Sequence, residues 1–192
     1  MNDSNIVLPN FYTEIKSSSE EIEFSMLSDL QTGSLLRTLV YSKPNGQFLE
    51  LGTGTGLSLS WIVEAMDPHS KVYSIENNID FQKIASNYFG NDPRVELVCE
   101  DANNWIKNNQ DKKFDLIFAD AWPGKYEGLL DTLNLLKVGG FYLIDDMLPQ
   151  SNWPDGHIDN VVKLIAELEQ MSSLSITKMN WSTGIVIVTK LS

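Results

Sequence analysis

The sequence is short of positive charge and almost without cysteine. Of its 192 residues only 14 are Lys or Arg, against 26 Asp or Glu, which leaves a net charge of −12. Sequence-independent binding of DNA or RNA depends on neutralising phosphates, so this balance argues against nucleic acid as a partner. The single cysteine, Cys99, allows no internal disulfide, and its place in an apolar strand pattern leads us to expect a buried, inert thiol. No apolar run approaches the roughly 18 residues of a membrane span. The first ten residues, M-N-D-S-N-I-V-L-P-N, lack the basic start and apolar core of a signal peptide. Together these absences lead to the expectation of a soluble, cytoplasmic protein with no membrane partner. No repeat or low-complexity block divides the chain, and its length suits one domain that buries about 70% of its unfolded-chain surface.

What is present centres on Gln47 to Ser58, Q-F-L-E-L-G-T-G-T-G-L-S. Phe48, Leu49 and Leu51 read as a buried parallel strand. Gly52, Gly54 and Gly56 follow at spacing two, and a helical pattern reopens near Leu57. A strand that breaks into glycines and resumes as a helix brings backbone close to a ligand at the helix N-terminus.

The remainder alternates strand and helix. Residues 1–19 read as a loose arm, Ser19-Glu20-Glu21 as a helix start, and Ser28 to Ser42 as an amphipathic helix. Residues 1–45 thus form an arm and capping helices, and 46–192 a cofactor-binding core, within one domain spanning 1–192. Strands are expected at Lys71–Ile75, Val95–Cys99, Phe114–Ala119 and Phe141–Ile144. Helices are expected at Ile79–Phe89, Ala102–Lys107 and roughly Tyr126–Leu136, with another carrying Ile158, Val161, Val162, Ile165 and Leu168. Leu174–Met179 and Ile185–Thr189 read as a closing strand pair. This order implies an α/β, doubly wound, Rossmann-like, mostly parallel sheet with helices on both faces and an antiparallel edge.

In such a sheet ligands bind beyond the carboxyl ends of the strands. Here those ends carry Glu50, Glu76, Asp101, Asp120 and Asp145-Asp146. Acids at five successive strand ends point to a shared polar site. The dinucleotide fingerprint G-x-G-x-x-G would need glycine where this chain has Leu57, and Glu50 is poor company for a diphosphate. A cationic or zwitterionic ligand suits these acids better. Glu76 is placed to accept hydrogen bonds from two ribose hydroxyls, and Asp101-Ala102 to meet an adenine edge.

With E-L-G-T-G-T-G at Glu50–Gly56, S-I-E-N at Ser74–Asn77 and C-E-D-A at Cys99–Ala102, the sequence resembles the class I S-adenosylmethionine-dependent methyltransferases. The resemblance runs from about Met26 to the C-terminus and implies a seven-stranded sheet whose last strand is inserted antiparallel. It places Gly52, Gly54 and Gly56 beside the methionine part of the cofactor and Glu76 on its ribose. Thr53, Ser58 and Asn77 join them as cofactor-binding positions. Within the class, the chain is most similar to small-molecule O-methyltransferases of the catechol and caffeoyl-CoA type. Met26, Ser28 and Gly33 keep that family's spacing, F-D-L-I-F-A-D-A-W at Phe114–Trp122 matches its fourth-strand motif, and Tyr126 falls at its tyrosine position. L-I-D-D at Leu143–Asp146 matches its fifth-strand end, usually Asp-Asn. The resemblance implies that Trp122 packs on the adenine and that Asp120, Asp145 and Asp146 hold Mg2+ or another divalent cation, whose need for oxygen ligands they meet. The family's catalytic lysine, three residues after the fourth-strand acid, is Pro123 here, and Lys125 replaces it only if the loop is rearranged.

The expected activity is methyl transfer from S-adenosylmethionine to a small-molecule hydroxyl, with Asp120, Lys125 and His157 as catalytic candidates. The alternatives are a metal-independent methyltransferase with a nitrogen or other small-molecule acceptor, which the absence of lysine at 123 favours, and a non-catalytic cofactor-binding domain. The loop Met147–His157 lies where substrate enters. There Trp153 is placed to stack on a planar ring and His157 to accept a proton, or else Asp155 caps a helix and His157 is exposed. Trp61, Trp105 and Trp181 are expected to pack. The N-terminal segment is suited to pairing across a two-fold axis, as in a homodimer.

Overall fold

The computed structural model describes every residue except 1, 2, 4 and 152. Seven strands form one sheet: β1 (Gln47–Leu51), β2 (Lys71–Glu76), β3 (Val95–Cys99), β4 (Phe114–Ala119), β5 (Leu136–Ile144), β6 (Leu174–Met179) and β7 (Ile185–Lys190). Their spatial order is β3-β2-β1-β4-β5-β7-β6. β1 pairs in parallel with β2 and with β4, whereas β7 runs antiparallel between β5 and β6. The doubly wound sheet and its antiparallel insertion are therefore as expected.

Alternation along the strands separates two cores. Phe48 of β1 with Leu116 and Phe118 of β4 face α1 (Tyr12–Glu21), α2 (Leu30–Tyr41), α3 (Leu57–Ala65) and α4 (Ile79–Phe89). Leu49, Leu51, Ile117 and Ala119 face α5 (Ala102–Asn108), α7 (Leu129–Leu135) and α8 (His157–Glu169). Each large aliphatic or aromatic side chain fully buried here contributes about 1.5–3 kcal/mol relative to exposure. Trp61 and Trp105 belong to these cores, as anticipated, and Trp181 is half-buried.

Several local expectations are corrected. The N-terminal segment is not a loose arm: α1 is helical over Tyr12–Glu21, and Ser19-Glu20-Glu21 form its last turn rather than a start. Ile15 is fully buried, Tyr12 meets the Trp61 ring edge-on at 5.8 Å, and Ser19 bonds Thr55 in the glycine loop at 2.7 Å. Tertiary burial thus makes a helix where serine-rich sequence gave little periodicity. Between residues 126 and 136 the helix is shorter, beginning at Leu129 after the left-handed Gly128. Leu136 already pairs with Phe114, and the register shifts before Phe141 pairs with Leu116. Cys99 is exposed, because it ends the outermost strand β3. α2 begins at its capping residue Asp29, whose carboxylate accepts from the Gln31 and Thr32 amides at 2.7 and 3.1 Å; such a cap is worth about 1 kcal/mol.

Candidate active site

The strand order reverses direction between β1 and β4, and a crevice opens at the carboxyl ends of such neighbours. The two strand ends touch there: the Asp120 amide donates to the Leu51 carbonyl at 2.9 Å. Gly52 has φ +100°, and a Cβ on it would lie 2.8 Å from the Asp120 carbonyl oxygen. Only glycine permits both the conformation and the approach.

The glycine loop, Glu76 and the start of α4 enclose a cavity of about 350 Å³. Of the expected cofactor residues, Met26, Ser28, Gly52, Thr53, Gly54, Ser58, Glu76, Asn77, Asp120 and Trp122 line it. Glu76 accepts from the Gly54 amide at 2.8 Å and the Asn78 amide at 2.9 Å, and each carboxylate oxygen keeps a lone pair for a hydroxyl donor. Phe24 and Phe81, which the sequence did not single out, meet on this wall with ring centres 4.6 Å apart and planes tilted by 54°. Periodicity could have shown Phe81 at the start of α4, but nothing local marked Phe24.

Four other expected cofactor residues are not on that wall. Glu50 is fully buried beneath it, with Ser74 donating to one oxygen and no partner on the other among the described residues. Burial raises its pKa to about 7. Gly56 lies against Ala85 of α4. Asp101 caps α5 through the Asn104 amide at 3.1 Å, and Ala102 is buried in the core below. The capping geometry explains why an acid stands at residue 101 without facing the cavity.

After Asp120 the chain makes a single interrupted turn, α6 (Trp122–Lys125), in which Pro123 (ψ 136°) and Gly124 (φ 89°) are non-helical. A Cβ on Gly124 would lie 2.5 Å from the Leu51 side chain. The Gly124 carbonyl accepts from the buried Tyr142 hydroxyl, and the Gly124 amide donates to the Glu127 carbonyl at 2.7 Å. This kink turns Lys125 inward, to 5% exposure. Its Nζ donates to the Asp145 carbonyl at 2.9 Å and stands 3.7 Å from Asp120 Oδ1. The kink thus brings Lys125 beside Asp120 in this chain.

A second cavity, of about 290 Å³, adjoins the first. Asp120, Lys125, Asp145, Asp146 and His157 all border it. Ser28 donates to Asp120 at 3.3 Å, while Thr183 and the Asp146 amide donate to Asp145. Burial, reinforced by the neighbouring carboxylates, holds the Asp120 pKa well above the ordinary range and raises Asp145 to about 6. His157 is not exposed and Asp155 is not its cap: the left-handed Gly156 precedes α8, and His157 is 8% exposed. Its Nε2 is 3.1 Å from the Tyr126 hydroxyl and its Nδ1 has no partner among the described residues. Burial, and then the Lys125 charge, lower its pKa. Trp153 packs on the His157 ring at 4.3 Å, and Trp122 meets Tyr126 at 5.3 Å.

The first cavity fits a zwitterionic nucleoside, with aromatic rings, a carboxylate for hydroxyl donors and acids to receive a cation. The second fits a metal poorly. Among the described residues no three Asp, Glu, His or Cys side chains converge to hold an ion. The Lys125 ammonium already stands 3.7 Å from Asp120 Oδ1, on one of the carboxylates that would have to ligate the ion.

A family model described as a methyltransferase domain matches residues 49–147, more than half of the sequence. The chain belongs to this methyltransferase-domain family. It is 28% identical over 136 residues to catechol O-methyltransferase B of Danio rerio, covering 66% of this chain and 52% of that protein. The chain spans about half the length of the curated relatives it matches. In fold it is similar to the O-methyltransferase TomG of Streptomyces achromogenes, solved with SAM, with a TM-score of 0.85, 20% identity, and 98% and 93% of the two chains covered. The O-methyltransferase of Bacillus cereus, solved with SAH, gives 0.83, 18% identity, and 98% and 94%. Among the described residues no helix is long and apolar enough to cross a membrane.

Proposed function

We propose that the chain transfers the methyl group of S-adenosylmethionine to a hydroxyl oxygen of a small planar acceptor, without a divalent metal. One observation carries this reading: the two cavities share Met26, Leu27, Ser28, Asp120, Ala121 and Trp122, so a donor in one and an acceptor in the other meet beside Asp120. The donor side has the glycine loop and Glu76; the acceptor side has Trp153 and Tyr126 as flat walls.

Transfer is an in-line displacement. A lone pair of the acceptor oxygen forms the new C–O bond as the C–S bond breaks, and its electrons leave the sulfonium as a neutral thioether. Most of the rate comes from holding oxygen, carbon and sulfur in line at close range. Asp120 favours binding of the cationic sulfonium, and the buried Lys125 ammonium favours the ionised, more nucleophilic form of the acceptor hydroxyl before attack. His157, neutral because its pKa is lowered, is the group suited to take the hydroxyl proton.

The test is transfer of a labelled methyl group from S-adenosylmethionine across a panel of phenolic and hydroxylated acceptors, with magnesium and with excess chelator. Turnover is expected to persist under chelation and to fall by at least about 100-fold in Asp120→Ala. Unchanged turnover in that variant would overturn the assignment of Asp120, and turnover only with magnesium would overturn the metal-free chemistry.

A further inference from the structure

A neutral imidazole carries one N–H and one lone pair, and the nitrogen that lacks the proton is the one that can act as a base. At His157 the two nitrogens have unlike surroundings. Nε2 lies 3.1 Å from the Tyr126 hydroxyl, whereas Nδ1 is buried with no partner among the described residues. Two arrangements satisfy the Nε2 contact. If Tyr126 donates to Nε2, the ring proton sits on Nδ1 as a buried N–H with nothing to accept it, and no lone pair is left to spare. If Nε2–H donates to the Tyr126 oxygen, Nδ1 keeps a free lone pair. Buried N–H groups left without an acceptor are rarer in proteins than under-satisfied acceptors. The second arrangement is therefore favoured, and it alone lets His157 take a proton.

Tyr126 is itself firmly placed. It closes the turn α6, its amide donating to the Trp122 carbonyl at 3.0 Å. Its ring meets Trp122 at 5.3 Å and the imidazole at 5.2 Å, the latter with planes 89° apart. Trp153 at 4.3 Å and Trp122 at 5.5 Å further confine the imidazole. Burial, and then the Asp146 charge, raise the Tyr126 pKa to about 12, so the hydroxyl stays protonated. A neutral phenol oxygen accepts from Nε2–H while its own O–H remains available as a donor.

We propose that Tyr126 is a positioning residue for methyl transfer: its hydroxyl oxygen accepts Nε2–H and so fixes the His157 tautomer whose Nδ1 receives the proton of the acceptor hydroxyl. The acceptor hydroxyl supplies the partner that Nδ1 lacks. Its proton moves to the Nδ1 lone pair, and the electron pair it leaves stays on oxygen to attack the methyl carbon. The imidazolium then carries an N–H on each nitrogen, with Nε2–H still on Tyr126. The inference rests on the methyl-transfer reading and adds the residue that sets its base.

The experiment reads the tautomer directly, by long-range proton–nitrogen NMR of protein with labelled histidine rings at about pH 8, above the usual histidine range. The chain has two histidines, His69 and His157, and His157→Asn assigns their signals. His157 is expected to show a pyrrole-type Nε2 and a pyridine-type Nδ1. Tyr126→Phe, which keeps the ring and loses only the hydroxyl, is expected to move it to a mixture of tautomers and to leave His69 unchanged. Retained S-adenosylhomocysteine affinity reports that the variant is folded; should it be lost, the spectrum of the parent protein decides alone. In turnover across hydroxylated acceptors, Tyr126→Phe is expected to lower kcat about tenfold in the parent but less than about twofold in His157→Asn. A pyrrole-type Nδ1 in the parent, a spectrum that Tyr126→Phe leaves unchanged, or an equal loss of kcat in both backgrounds would overturn the inference. The spectrum needs no acceptor, so failure of the parent protein to transfer a methyl group would sink the methyl-transfer reading alone.

Discussion

Glu50 is a titratable residue shut away from water at the end of β1. It is fully buried, one oxygen has no partner among the described residues, and burial lifts its pKa from 4.5 to about 7. A raised carboxyl pKa means that the folded state holds the proton more tightly than the unfolded chain. The stability contributed by the neutral form is present in full below about pH 4.5 and is lost as pH rises through about 7. The full shift corresponds to roughly 3 kcal/mol. Glu50→Gln, which keeps the shape and removes the titration, is expected to be more stable than the parent at pH 8 and to match it near pH 4.5 in urea unfolding. Parallel pH profiles for the two proteins would contradict a buried, titrating Glu50. His157 gives a second pH prediction. With its pKa lowered, the neutral base persists below the usual histidine range of about 6.5, so the acid limb of kcat/KM should fall below that value. His157→Asn should remove that limb; an unchanged profile would assign the proton to another group.

At this scale the sequence was legible where chemistry and strand position coincided. Gly52, Glu76 and Asp120 stand at strand ends and line the cavities as read. Asp101 shows the limit of that rule, because an acid before a helix also serves as its cap. Cys99, expected to be buried, is exposed, and of the two readings of His157 the exposed one fails, since exposure at a sheet edge and burial under a loop depend on contacts distant in sequence.

Among the elements, the turn Trp122–Lys125 decides most about the chemistry. Pro123 and Gly124 interrupt the helix, and the interruption carries Lys125 into the cavity. Gly124→Ala places a Cβ against Leu51 at a positive φ. It is expected to cost about 1–3 kcal/mol in denaturant unfolding. It should also lower kcat at least tenfold, roughly as far as Lys125→Met does. A Gly124→Ala protein with normal turnover would show that the kink does not set the lysine. The dipeptide Pro-Gly announced a turn, but not that the turn points inward; that follows from Tyr142 and Leu51 on neighbouring strands. Helix α1 was hidden for a similar reason. Its serine run carries no apolar stripe, and it is held by Ile15, by Tyr12 on Trp61 and by Ser19 on Thr55.

For the whole molecule, the doubly wound, mostly parallel sheet was legible because it follows from alternation: buried apolar strands joined by amphipathic helices leave few ways to wind. The reversal between β1 and β4 then places the glycine loop and Asp120 side by side, and two cavities open from their junction. The proposed division of labour between donor and acceptor sides rests on that junction rather than on any single motif. Calorimetric titration with S-adenosylhomocysteine, comparing the parent protein with Glu76→Ala, tests it most directly. The account predicts saturable one-to-one binding without added metal, weakened at least tenfold by the substitution, and no competition from NAD. Absence of binding, or binding of NAD in the same cavity, would contradict it.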